Sequence, residues 1–470
     1  MPSGIAACGA YIPMTRLPLA LINGRPAKEG GPEKAVAYYD EDSATMAVAA
    51  AVDCLSGVER GEVDAVFFAS TTYPLREKQG AVLIAKALDL RVDVETADFT
   101  GSLRAGTDAL KAALRAVAAG GVDTVLVVAS DCRMAAPRAT MEHNLGDAAA
   151  AFLVRRDGVI ATLEASSAIA SEMQDVWRSD GDDFVHSWED RFVVEEGYVP
   201  SMIDAVRQLL AKTASSIDRF ERVVLYAHDA RSHATVARTL GIEESRIQNT
   251  LLGRVGNCGA AFAPLLLCAA LESAKAGERI LVASYGDGAE AFSLAVADPV
   301  AAAPGRKGVT GHLVRRRPLR SYDSYLRSRG LDRVEWDAGT GPGISATVRM
   351  RERDADISLL GAACEACGHA HFPRPHVCYK CHGRGPWRPH RLSDKTGEVL
   401  AYTFDFFFPT PEPPAIMTIA GIGECRVHIQ LADIAPDQVR LELPVRFMFR
   451  KIHDAGGKPN YFWKAVPAEA

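Results

Sequence analysis

The sequence has no run of about 18 apolar residues, the length needed to cross a bilayer. Its most apolar stretch, Ala260 to Leu271, is shorter and reads as a buried helix. The first residues, MPSGIAACGAYIP, have neither a basic leader region nor the long apolar core of a secretory signal. These two absences lead us to expect a cytoplasmic protein. An excess of positive charge is missing too: 53 Lys and Arg against 59 Asp and Glu leave a formal net charge of -6. No global field therefore draws nucleic acid or an anionic membrane, and a polyanionic ligand has to find a local basic patch. Cysteine is scarce outside one cluster. Six of the ten (Cys8, Cys54, Cys132, Cys258, Cys268, Cys425) are scattered in apolar surroundings, where buried free thiols are expected. A reducing compartment argues against a disulfide framework.

What is present has the balance of a globular chain, 48% hydrophobic and 24% charged, and 470 residues are too many for one ordinary core. Helix-like and strand-like segments alternate along the first part. Ser43 to Leu55, Gly80 to Leu88 and Gly106 to Ala119 carry helical spacing, while Val63 to Ser70, Thr124 to Ser130 and Ala148 to Val154 read as buried strands. The same grammar returns with helices at Val199 to Ala214 and Gly259 to Ala274. Strands follow the same pattern at Arg222 to His228, Arg279 to Ser284 and Ala291 to Val296. Two successive α/β halves of similar element order imply a layered fold built by internal duplication. Composition shifts to Ala, Pro, Gly and Arg from Pro299 to Arg317, a helical pattern resumes over Ser321 to Arg329, and a Gly-rich bend follows at Gly339 to Gly343. Beyond it come β-rich segments at Glu398 to Phe406, Ala415 to Ile422, Cys425 to Leu431, Pro444 to Arg450 and Tyr461 to Val466.

Cys364, Cys367, Cys378 and Cys381 form a C-x2-C, x10, C-x2-C arrangement. Each pair turns a tight knuckle presenting two thiolates, and two knuckles complete the tetrahedral S4 shell that Zn²⁺ prefers. Such a shell has no open position, so the metal is expected to be structural. His369, His371, His376 and His382 lie nearby and are expected to be solvated. Paired knuckles often accompany nucleic acid, but the acidic balance and the lack of a basic, aromatic stripe in the following β-segments argue against it.

An ordered set of segments carries a resemblance: DFTGSLRAGTDA (Asp98 to Ala109), GDAAAAFLV (Gly146 to Val154), DVWR (Asp175 to Arg178), YAHDAR (Tyr226 to Arg231), GNCGAAFAP (Gly256 to Pro264) and SYGDG (Ser284 to Gly288). Residues 1 to 335 resemble the hydroxymethylglutaryl-CoA synthase and ketoacyl-carrier-protein synthase III branch of the thiolase superfamily. Residues 345 to 470 resemble the zinc-ribbon plus OB-fold proteins that accompany thiolase-like enzymes. There the run Phe406 to Pro409, with Pro411, Pro413 and Pro414, fits a Pro-rich hairpin. The resemblance implies an α/β class, a duplicated thiolase-like layered (αβαβα) fold followed by a zinc ribbon and a small β-barrel (OB-fold). The expected domains are 1–165 and 166–335 for the two halves, 345–390 for the ribbon and 391–470 for the barrel.

In chemistry, the resemblance implies an acyl-CoA or β-keto acid substrate, CoA as co-substrate, and a homodimer or a mixed complex with another thiolase-like subunit. His228 matches the family histidine and Asn257 its asparagine, a pair that holds a thioester oxygen as the α-carbon becomes an enolate. Where the family carries its nucleophilic cysteine, this chain has Leu103; Ser102, one position away, is the candidate nucleophile in its place and needs a one-residue shift. Thr71 or Thr72 stands where the synthase branch has an acid/base glutamate. Asp229, Tyr73 and His143 are further acid/base candidates. Arg231 and His233 fall where the family places a basic residue near the CoA phosphates, and the Gly286 and Gly288 turn lets backbone approach the thioester. Two readings stand: an enzyme making or breaking a carbon–carbon bond beside a CoA thioester without an acyl-enzyme, and a non-catalytic acyl-CoA-binding or scaffold subunit. The acyl group, the direction of reaction and the choice of CoA or carrier protein stay open.

Overall fold

A computed structural model describes residues 3–298, 305–332, 345–408 and 410–468. The Gly339–Gly343 bend, residues 299–304 of the Pro299 to Arg317 run, and Pro409 lie outside them. Contacts divide the chain into two units. The first comprises Met1–Ala37, Asp42–Ala85 and Leu90–Tyr322; the second comprises Tyr38–Glu41, Lys86–Asp89 and Asp323–Ala470.

In the first unit nine strands form one mixed sheet. Its order is Arg222–Leu225, Arg279–Tyr285, Gly288–Val296, Ala161–Ala170, Gly4–Tyr11, Asp147–Arg155, Val125–Cys132, Ala65–Ala69 and Glu95–Phe99. The central pair, Gly4–Tyr11 and Ala161–Ala170, is antiparallel with Ile5 opposite Ala161. Reading outward on either side, two antiparallel pairings are followed by parallel ones. The duplication expected from the element order is thus repeated in the pairing pattern. Strands such as Asp147–Arg155 and Arg279–Tyr285 are almost wholly buried, which explains their unbroken apolar runs.

Two helices carry the segments of interest. Ala105–Ala119 begins immediately after Leu103-Arg104, and Gly120 ends it in the left-handed conformation that glycine adopts without strain. Phe262–Glu272 buries nine of its eleven residues, among them Phe262 and Leu265 to Cys268, as its all-round apolar sequence requires. Ala161–Ala170 was not anticipated as a strand. Its sequence, ATLEASSAIA, is Ala- and Ser-rich, and its strand state comes from pairing on both edges rather than from propensity.

In the second unit the helix Ala346–Ser358 precedes a three-stranded sheet (Leu360–Cys364, Ala370–His371, Trp387–Arg391). A closed five-stranded barrel follows, ordered Gly397–Asp405, Ala415–Ile422, Cys425–Leu431, Lys458–Pro467, Pro444–Ala455. The first and last of these pair to close it, which is the strand order of an OB-fold and leaves no free edge. Within this unit Arg450, 1% exposed, is ringed by Asp433 (2.8 Å), Asp40 (3.8 Å) and Glu41, and Lys464 meets Asp40 at 2.9 Å. Among the described residues no helix is long and apolar enough to cross a membrane.

Candidate functional site

A cavity of about 300 Å³ in the first unit is lined by Leu103, Tyr226, His228, Asn257 and Tyr285, with Met141 and Trp188 on its walls. A second chamber of about 350 Å³ is lined by Thr71, Thr72, Ser102 and Arg178. Leu103, Arg133, Asp175 and Val176 belong to both. No cysteine lines either chamber.

Tyr226 and His228 are two residues apart at the end of an extended segment, so their side chains share a face. His228 Nε2 lies 2.9 Å from Asp190 Oδ1. That contact fixes one ring nitrogen against a carboxylate, while Nδ1 has no partner among the described residues. Asn257 lines the same cavity, but its carboxamide is fully engaged. Its two N–H groups donate to Tyr226 Oη (2.7 Å) and the Ala227 carbonyl (3.0 Å), and its Oδ1 accepts from the Gly259 N–H (3.0 Å). Sequence reasoning placed Asn257 as a direct donor to thioester oxygen; an amide has two hydrogens, and both are taken. The group left pointing a proton outward is the Tyr226 phenol. It accepts from Asn257 and has no acceptor of its own among the described residues. Burial raises its pKa, opposed by the Arg133 charge and the Asn257 hydrogen bond, so it stays a donor at neutral pH.

Leu103 sits just before helix Ala105–Ala119, lines both chambers, and offers no nucleophile. Ser102 faces only the second chamber, and its Oγ makes one long contact, accepting from the Arg104 N–H at 3.4 Å. No group accepts a hydrogen bond from that hydroxyl among the described residues. Thr71 and Thr72 are held by the buried Asp131. That carboxylate accepts from Thr71 N–H (2.7 Å), Thr71 Oγ1 (2.9 Å) and Thr72 Oγ1 (2.8 Å), as well as from Ser70 Oγ and the Ala260 N–H.

The residues expected near CoA line neither chamber. Arg231 is exposed at the start of helix Ala230–Thr239, and His233 is buried with its pKa lowered by that burial; neither lines a chamber. Gly286 and Gly288 have positive φ, and their lack of a side chain serves close packing. A Cβ on Gly286 would meet Ser102 Oγ at 2.8 Å and Leu103 N at 3.0 Å; one on Gly288 would meet the Ile169 carbonyl at 2.2 Å. Gly286 therefore seats the Leu103 turn, and the chamber residue of this loop is Asp287. Asp229 caps its helix through Arg231 and Ser232 N–H groups, Tyr73 lies off the chambers with its pKa pushed up to about 12 by burial, and His143 meets Asn23 at 3.3 Å. Tyr226, Asp190 and Arg133 were missed. Period-two spacing from His228 and from Asp131 was the available signal for the tyrosine and the arginine.

In the second unit the Sγ atoms of Cys364, Cys367, Cys378 and Cys381 all lie within 4.8 Å of one another. Cys364 and Cys381 are 3.6 Å apart, as are Cys367 and Cys378. Four sulfurs bound at about 2.3 Å to one tetrahedral zinc stand about 3.8 Å apart, so the shell fits that ion and closes it off. The expectation of solvated histidines fails for His371. It is 3% exposed, its Nε2 is 3.4 Å from Cys378 Sγ, and it packs edge-on against Tyr379 and Trp387. His369 instead pairs with Glu424 at 2.9 Å.

Comparison with known proteins agrees with both halves of this picture. Residues 210–297 match the family 3-oxoacyl-[acyl-carrier-protein] synthase III C terminal, and residues 351–386 match the ChsH2 rubredoxin-like zinc ribbon domain. The hydroxymethylglutaryl-CoA synthase of Aeropyrum pernix is 33% identical over 341 residues, covering 70% of this chain and 94% of that one. That of Pyrococcus furiosus is 30% identical over 335 residues, covering 69% and 95%. Among solved structures, a hydroxymethylglutaryl-CoA synthase complexed with CoA aligns at TM-score 0.65 and 19% identity over 72% of this chain and 92% of that one. The hydroxymethylglutaryl synthase of the curacin pathway, in complex with a holo donor carrier protein, aligns at 0.61 and 20% over 69% and 88%. These structural likenesses speak for the fold.

Proposed function

We propose, from the premise that the chain belongs to the hydroxymethylglutaryl-CoA synthase family, that it makes or breaks a carbon–carbon bond beside a CoA thioester without a covalent acyl-enzyme. The observation that carries this is the shared cavity: His228, Tyr226 and Asn257 line one space together with Leu103, which stands where a nucleophile is expected. A relative solved with CoA supports the ligand class.

In the cleavage direction, His228 Nδ1 takes the proton of a β-hydroxyl group. The Cα–Cβ bond breaks, the carbonyl fragment leaves, and the electron pair passes into the thioester as an enolate. The Tyr226 O–H donates to that enolate oxygen, and the proton held by His228 passes to the α-carbon, restoring the imidazole and releasing the shortened thioester. Synthesis is the reverse. Asp190 orients the imidazole, and Asn257 fixes the phenol, so these two are positioning residues. A donor already aimed at the developing charge is the largest single contribution such a site makes. Ser102 and the residues Arg231 and His233 have no step here. The zinc shell supplies folding energy to the ribbon and takes no part in the reaction. The working state is a homodimer, which light scattering on the purified chain tests.

The test is to incubate the pure protein with CoA, β-keto acids and acyl-CoAs and follow thioesters by mass spectrometry. Turnover that disappears in His228→Ala supports the enzyme. A second reading, the acyl-CoA-binding scaffold, is favoured by the engaged Thr71, Thr72 and Asn257 side chains. It predicts turnover only after a second thiolase-like subunit is added.

A further inference from the structure

We infer that Arg133 is a carboxylate-binding residue, and that the molecule joined or cleaved at this site carries a free carboxylate seated between the two chambers. The inference rests on the proposed reading of the cavity and adds the class of substrate. Arg133 follows the strand Val125–Cys132 and is 7% exposed, yet among the described residues its guanidinium makes no hydrogen bond and no ion pair. The neighbouring carboxylate does not serve it: Asp131 is saturated by five neutral donors from Ser70, Thr71, Thr72 and Ala260. Asp175, which lines both chambers with it, accepts from the Val176 N–H at 2.6 Å and forms no ion pair with Arg133.

An arginine cannot shed its charge in a protein, and a cation buried without a partner is destabilising. Its charge is felt by Tyr226, the proposed donor, and by Cys258, whose thiol is fully buried and inert. The planar fork of a guanidinium matches a carboxylate with two parallel hydrogen bonds. No thiol lines the chambers, so nothing there tethers an acyl group covalently. A charge-assisted grip on a carboxylate holds the reacting molecule in place instead. Two sources share this chemistry: the acid end of a dicarboxylic acyl-CoA, and a separate keto acid lying in the second chamber.

Calorimetric titration of wild type, Arg133→Met and Arg133→Lys with succinyl-CoA, butyryl-CoA and acetoacetate separates them. Wild type is expected to bind succinyl-CoA about 10- to 100-fold tighter than butyryl-CoA, or to bind acetoacetate in the presence of CoA, with Arg133→Met abolishing that preference. Arg133→Lys retains part of it. The first pattern assigns the carboxylate to the acyl-CoA, the second to a separate acid. Equal binding of the two thioesters together with no acetoacetate binding overturns the inference, as does a preference that survives in Arg133→Met. If no CoA thioester binds but acetoacetate binds in an Arg133-dependent way, the carboxylate site stands and the CoA reading falls. If nothing binds, both fall.

Discussion

Arg133 and Arg450 are both buried cations, and they differ in what surrounds them. Arg450 in the second unit has three carboxylates, Asp433, Asp40 and Glu41, drawn around it. Arg133 in the first unit has none within ion-pair distance and opens onto two chambers. The same contrast runs through both units. In the second, four thiols face a shared centre and His371 backs Cys378. In the first, the Tyr226 hydroxyl, His228 and Arg133 line one cavity. A buried polar group with its partners built in holds a fold together. One without partners is held ready for a ligand, at a cost in stability.

The comparison can be broken at several points. The largest expected effect is on the metal: structural zinc contributes about 10–16 kcal/mol of apparent binding energy, so chelation or Cys378→Ser should unfold the ribbon. Zinc stoichiometry and hydrogen exchange over residues 360–391 should change together, while exchange in the first unit should not. Next, Arg450→Met leaves Asp40, Glu41 and Asp433 without their cation and should cost about 3–5 kcal/mol in denaturant unfolding. Tyr226→Phe should lower turnover by about 10²–10³-fold, with little change in substrate binding, as expected for a donor that acts in the transition state. Arg133→Met, by contrast with Arg450→Met, should leave the unfolding midpoint unchanged or raised, since it removes an unpaired charge. Equal destabilisation by the two methionine variants would erase the distinction drawn between the arginines.

The smallest effect is on pH dependence. Burial lowers the His233 pKa below its ordinary 6.5, with Asp229 opposing. Below that value the unfolded chain takes up a proton that the folded one resists, so this residue's share of stability is full above pH 6.5 and falls as the solution is acidified. His233→Gln should flatten that slope in unfolding measured from pH 7 to pH 5.

Much of this was legible in the sequence, and the rest was hidden for physical reasons. The cysteine spacing identified the thiol cluster because knuckle geometry is local. The barrel strands were readable from β-branched and aromatic runs, and the buried helix Phe262–Glu272 from its apolarity. The strand Ala161–Ala170 was not, because long-range pairing overrode its weak propensity. The ordered motifs led to His228 and Asn257, which do meet at one cavity. They did not reveal that Asn257 supports Tyr226, since a side chain's hydrogen-bond partners depend on the tertiary fold. Arg133 was invisible for the same reason: a charged residue in a sequence reads as surface until its neighbours are known. Asp190 does lie at the surface, and only its 2.9 Å contact with His228 sets it apart.

The central claim is that chemistry at this cavity proceeds without a bond to the protein. Intact-mass spectrometry of the wild-type chain, quenched during turnover of an acyl-CoA substrate, tests it most directly. The account predicts accumulating thioester product and an unmodified protein mass at every time point. An acyl increment mapped to Ser102 would contradict it.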